Sequence, residues 1–213
     1  MTKHFLLWAE WLAIFVALPV LISLAGQRWL VFGALWVFAL VGAWWLWRAH
    51  AVSVRAEWNS RGFLSEAKTI VWRFLGVACV LSLVTWLLVP EKFLQFPQQR
   101  PQLWGMVMLA YPLLSVWPQE VLFRSVFFRR YAALFVSDRA MMVASGLAFG
   151  FVHIIFHNWV AVVLSCLAGV LWANTYARTR SLAAVWVEHS LYGCFIFTVG
   201  LGSYFFTGAN GIR

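Results

Sequence analysis

The chain reads as an all-α, polytopic transmembrane helical bundle of about seven spans, and three observations predict it. Of 213 residues, 63% are hydrophobic and only 11% carry charge. Mean hydropathy is +0.82, beyond what a soluble domain of ordinary composition shows. The apolar residues fall into runs of about 20, the length that crosses a hydrocarbon layer as a helix. A formal net charge of +9 would suit a nucleic-acid binder. Here, though, the basic residues stand in short loops between apolar runs, not along one face with interleaved aromatics. That placement is a membrane orientation signal, so the expected partner is a lipid bilayer, with no nucleic acid.

The spans follow in order. Residues 5–25 form the first. Ser23-Leu24-Ala25 resembles a signal-peptide cleavage site, but Glu10 inside the run and its length favour a retained helix. Residues 29–47 form the second, with Trp44, Trp45 and Trp47 as an interfacial belt at its end. Residues 50–68 are the most polar connection; Gly62 breaks it and Ser65 is placed to cap the next helix. Residues 70–89 make the third span, closed by Pro90, and residues 91–102 a proline-containing loop. A short fourth span covers 103–117 and continues, broken at Pro118, into a polar stretch. Ser137 or Asp138 caps a fifth helix that runs to about His157. Residues 158–176 and 182–199 complete the set. A Gly-rich tail over 200–213 reads as a turn or a frayed end.

With the N-terminus cytoplasmic (N-in), 12 of the 16 basic residues fall on the cytoplasmic side, as the positive-inside rule requires. Arg129, Arg130, Arg178 and Arg180 read as cytoplasmic flanks of their helices. Cys79, Cys166 and Cys194 all fall in apolar segments without metal-type spacing and read as buried, inert thiols. Gly146, Gly150 and Gly169 read as close-packing positions. No repeat or linker divides the chain, so residues 1–213 are expected to be one integral-membrane domain.

Chemistry concentrates in the last four spans. In Pro118-Gln119-Glu120-Val-Leu-Phe-Arg124, a carboxylate arrives at membrane depth, where it costs roughly 2.5–3.5 kcal/mol and is by default functional. Arg124, four residues on, shares its helix face. Pro118 predicts a kink or a fresh helix start just before Gln119. His153 and His157 stand four apart, and His189 follows Glu188 in the last span. Polar groups in a bundle turn inward and seek each other. Convergent Glu and His can deprotonate water, bind zinc through Glu120, His153 and His189 with a position left open, or relay protons in a carrier. His157 is either a partner of the site or the interfacial end of its helix.

At these residues the sequence resembles the CPBP family of intramembrane endopeptidases (CAAX protease and bacteriocin-processing, also called Abi). Its three motifs have counterparts in Gln119-Glu120-x-x-x-Arg124, Phe149-x-x-x-His153 and His189-x-x-x-Gly193, in the family order and on successive spans. The resemblance covers residues 103–206, the expected catalytic core. It implies proteolysis of a membrane-anchored, in places prenylated, protein or peptide, in a bacterial cytoplasmic (inner) membrane. It also implies catalytic roles for Glu120, His153 and His189: the first two activate water and His189 supports the oxyanion. Arg124 orients the carboxylate, and Gln119 orients Glu120 or a water. No cofactor is implied; without a His-Glu-x-x-His helix, glutamate chemistry is preferred over zinc.

The sequence departs from the family at two positions. Gln119 stands where the family carries the first glutamate of its pair, usually taken as catalytic, so Glu120 has to act as the base. Gly193 replaces the terminal asparagine, and Tyr192, Asn158 or Asn174 are the candidates to supply its missing donor. A retained fold without catalysis, serving as a scaffold or immunity-type protein, is the alternative.

Overall fold

A computed structural model describes residues 2–27, 29–49 and 54–205, without the side chains of Thr2, Val54 and Arg55. Arg28, His50 and the tail beyond Phe205 lie outside the described residues. Among those described there is no strand, and seven helices are long and apolar enough to cross a membrane. They are α1 (Lys3–Ala25), α2 (Trp29–Arg48), α3 (Ser60–Leu88), α4 (Pro101–Arg130), α5 (Asp138–Phe156), α6 (Trp159–Thr179) and α7 (Leu182–Val199). The chain is a multi-pass, all-helical membrane protein. The last four spans are the more buried ones. Their facing surfaces form the core, and Phe15 of α1 and Ala39 of α2 are packed into it.

Two elements differ from expectation, each for a local reason. Helix α3 starts ten residues before the apolar run, because Asn59 caps it by accepting from the Gly62 N–H at 3.1 Å. Ser65 is therefore interior to the helix, and Gly62 does not break it. A side chain at 62 would meet the Thr179 carbonyl at 2.6 Å, which Asn59 Nδ2 already binds at 2.8 Å. Gly62 is thus a contact point between α3 and the end of α6.

Helix α4 does not restart at Pro118. A proline there removes the N–H that would bind the Leu114 carbonyl. Trp36 of α2 donates to that oxygen instead, at 2.9 Å. The helix passes through with two wide, π-type turns, Pro112–Val116 and Val121–Val126, on either side of Trp117–Glu120. Such turns shift side chains around a helix axis and recur at functional sites. Glu120 therefore sits in mid-helix, away from the positive end of any helix dipole.

Helix α5 is capped by Ser137, whose hydroxyl accepts from the Ala140 N–H at 3.2 Å. It tightens to a 3₁₀ turn at His153–Phe156, and His157 then takes a left-handed φ of 55°. Helices α5 and α6 approach closely: a Cβ at Gly146, Gly150 or Gly169 would lie within 3.0 Å of the opposing helix. This is the packing role expected of them.

The arginines read as simple flanks do more. Arg130 grips Glu10 of α1 through Nε and a terminal nitrogen, at 2.7 and 2.6 Å. The Tyr131 hydroxyl donates to the same carboxylate at 2.8 Å. Arg129 pairs with Glu57, which also accepts from Ser125 and Tyr176, and Arg178 pairs with Glu66. The guanidinium of Arg180 lies over the rings of Phe128 and Tyr176. Charges on the N-terminal half thus tie it to the C-terminal half. Cys79 is exposed on the bundle surface instead of buried, and Cys166 and Cys194 are half-buried.

Candidate active site

Helix periodicity decides what α4 shows to its neighbours. Tyr111, Ser115 and Gln119 recur every four residues and share one face. That face lines a cavity of about 380 Å³, whose other walls come from α1, α2, α5 and α7. Glu120 is one residue on, about 100° around the axis, and points into the bundle, where it is fully buried. His153 of α5 also lines the cavity; Glu120 and His189 do not. The rest of the wall is almost wholly apolar, including Phe15, Ile22, Phe32, Leu35 and Phe38.

Behind the wall is a chain of polar groups. Glu120 Oε1 meets His189 Nδ1 at 2.7 Å, and Glu120 Oε2 meets Arg124 Nε at 3.0 Å. Arg124, itself fully buried, donates to the Ser145 hydroxyl at 2.6 Å and lies over the Phe149 ring. His189 is clamped by Trp172, stacked at 3.8 Å, and by the edge of Phe149. Its other nitrogen, Nε2, is 3.1 Å from the Tyr111 hydroxyl. The chain Arg124–Glu120–His189–Tyr111 therefore runs from the protein interior to the cavity surface.

His153 is held separately. Its Nδ1 is 2.7 Å from the Phe149 carbonyl. A carbonyl oxygen only accepts, so Nδ1 carries the proton and a neutral ring has its free lone pair on Nε2. Phe149 lies between the two imidazoles, with ring centroids 4.9 Å from His153 and 5.5 Å from His189. Gln119 Nε2 donates to Ser115 Oγ at 2.8 Å, which fixes the amide in the wall.

The remaining candidates separate. His157 is exposed and, past the 3₁₀ turn, no longer on the face of His153. Asn158 caps α6 by accepting from Ala161 at 2.8 Å and donates to the Tyr204 carbonyl at 2.9 Å. Tyr192 packs edge-on against Phe74 and Trp172. Neither Asn158, Asn174 nor Tyr192 lines the cavity. Glu188 faces the other way from His189, toward Arg73 of α3 and Thr175 of α6. Among the described residues no three of His, Cys, Asp and Glu come together as a metal-holding group. Tyr111, Ser115 and Trp172 were not legible as site residues. The one signal for the first two was their four-residue spacing upstream of Gln119.

Comparison with known proteins bears on this geometry directly. Residues 101–195 match the family model for type II CAAX prenyl endopeptidase, Rce1-like. The matched stretch, a little under half of the chain, is consistent with the CPBP resemblance and contains Tyr111, Gln119, Glu120, Arg124, His153 and His189. The similarity is thus to CAAX-type endopeptidases, over the stretch that carries these groups. No curated protein and no solved structure matches the chain.

Proposed function

We propose that the protein is an intramembrane endopeptidase that hydrolyses a peptide bond of a membrane-anchored, lipid-modified protein, with His153 as general base. One observation carries the reading: His153 lines an apolar cavity, and the bond from its Nδ1 to the Phe149 carbonyl leaves Nε2 as the ring's proton acceptor. Nε2 takes a proton from water, and the water oxygen adds to the scissile carbonyl. The imidazolium then returns the proton to the departing amine, giving a carboxylate and an amine. General-base catalysis of this kind is worth about 10²–10⁴-fold. Gln119 is fixed in the same wall and orients the water. Glu120 and Arg124 act from behind it by holding His189. The aromatic and aliphatic walls suit an isoprenoid or acyl chain, which meets there the apolar surroundings it has in the bilayer, with packing as the source of preference. As drawn, the reaction requires no metal.

A second reading has its own observation. The cavity presents the Gln119 amide where a carboxylate would be the stronger base, so the same walls would also suit a protein that binds a lipid-modified segment without cutting it. Purified protein in liposomes, given prenylated and unprenylated peptides, separates the two. The endopeptidase reading expects wild-type cleavage, lost in His153→Ala and indifferent to a zinc chelator. A silent wild type alongside a cleaving Gln119→Glu variant would favour binding without hydrolysis, and chelator sensitivity would move the chemistry to a metal.

A further inference from the structure

A tetrahedral intermediate needs a donor for its oxyanion as well as a base for its water. Besides His153, the polar groups lining the cavity are Tyr111, Ser115 and Gln119. Ser115 and Gln119 are joined to each other. Tyr111 is the one of the three that is joined to the buried ionised groups, through His189.

Position 193 of α7 explains how the phenol gets there. A Cβ at Gly193 would lie 2.2 Å from Tyr111 Cε1, 2.5 Å from its hydroxyl oxygen and 2.6 Å from Cζ. The tyrosine ring therefore fills the space that any side chain at 193 would need, and its hydroxyl oxygen stands 2.5 Å from where such a side chain would begin. Gly193 is one helical turn beyond His189 on the same face of α7.

We propose that Tyr111 is a catalytic residue: its phenol donates to the oxygen of the scissile carbonyl, and Gly193 is the residue that admits it. The step is one of hydrogen bonding, with no bond made or broken at Tyr111. His189 acts here as the imidazolium paired with the Glu120 carboxylate: Nδ1 then donates to Glu120 and Nε2 to Tyr111, and the phenolic proton points into the cavity, whereas a neutral ring would draw that proton to Nε2. Glu120 and Arg124 are positioning residues in this scheme, acting through His189. The inference rests on the endopeptidase reading.

The test uses the full chain in liposomes with a prenylated peptide that the wild type cleaves. Tyr111→Phe keeps the ring and removes the donor. The expected result is a kcat about 10²–10³-fold lower, with KM within about threefold of wild type and an unchanged unfolding temperature. The exchange variant Tyr111→Ala/Gly193→Asn places an amide donor in the vacated space and is expected to cleave at least tenfold faster than Tyr111→Ala alone. Gly193→Ala, with the ring still present, is expected to lower the unfolding temperature, and to do so much less in a Tyr111→Ala background. Wild-type kcat in Tyr111→Phe would overturn the donor role while leaving the endopeptidase reading intact. A wild type that cleaves nothing would remove both.

Discussion

Two carboxylates in this bundle have equal burial and different surroundings. Glu120 and Glu188 are both fully buried. Glu120 meets a histidine and an arginine of the core, and its chain of contacts ends at a cavity. Glu188 meets Arg73, whose side chain is 21% exposed, and Thr175 at 2.7 Å, and joins α3 to α6 and α7. Depth and residue type are therefore poor guides to function. What distinguishes the two is whether their partners lead to open volume. The last helix carries Glu188 and His189 in succession, so a step of about 100° around its axis separates the structural joint from the candidate site.

The sharpest way to break this comparison is to delete each carboxylate. Glu120→Ala leaves Arg124 as an uncompensated charge with no solvent access, which costs about 3–5 kcal/mol. Thermal unfolding in detergent should show it, together with loss of cleavage. Glu188→Ala should cost less, about 1–3 kcal/mol, because Arg73 can turn toward the surface. Cleavage per folded molecule should stay at the wild-type level. Equal loss of cleavage in the two variants would erase the distinction.

Smaller effects sharpen the boundary of the site. Ser115→Ala removes the partner of Gln119, and a drop of about 0.5–1.5 kcal/mol in unfolding free energy is expected. The accompanying change should be a raised KM, as the wall amide loosens. Smallest of all is Glu66→Gln, which breaks the pair of a buried carboxylate with the solvent-side guanidinium of Arg178. Its cost should be no more than about 1 kcal/mol and should shrink in high salt, as unfolding in low and high ionic strength would reveal.

The spans were legible because their cause is local: a run of about 20 apolar residues has one stable environment. The order of Glu120, Arg124, His153 and His189 was legible for the same reason, since ionisable groups inside such runs stand out. Their pairing was not. Glu120 was expected to work with His153, yet it meets His189, which lies 69 residues away. Only the relative rotation of α4 and α7 decides that. At Pro118 the fresh helix start did not occur, because the effect of a proline depends on a neighbour: Trp36 satisfies the carbonyl that the proline abandons. Tyr111 was hidden for a similar reason. Its place is set by the absence of a side chain at Gly193, far along the chain. Of the two readings open for His157 the structure gives the end of the helix, because a 3₁₀ turn and a left-handed residue stop it before it completes the turn from His153.

The grip of Arg130 on Glu10 also has a consequence for how the protein is made. The two are 120 residues apart. At roughly 5–20 residues per second, a ribosome takes on the order of ten seconds to supply the arginine after the glutamate. For that interval the first helix holds its acidic group without Arg130 and Tyr131, its partners in the folded protein. The nascent helix therefore has to wait, protonated, sheltered by the insertion machinery or held at the interface, until the fourth one arrives to anchor it.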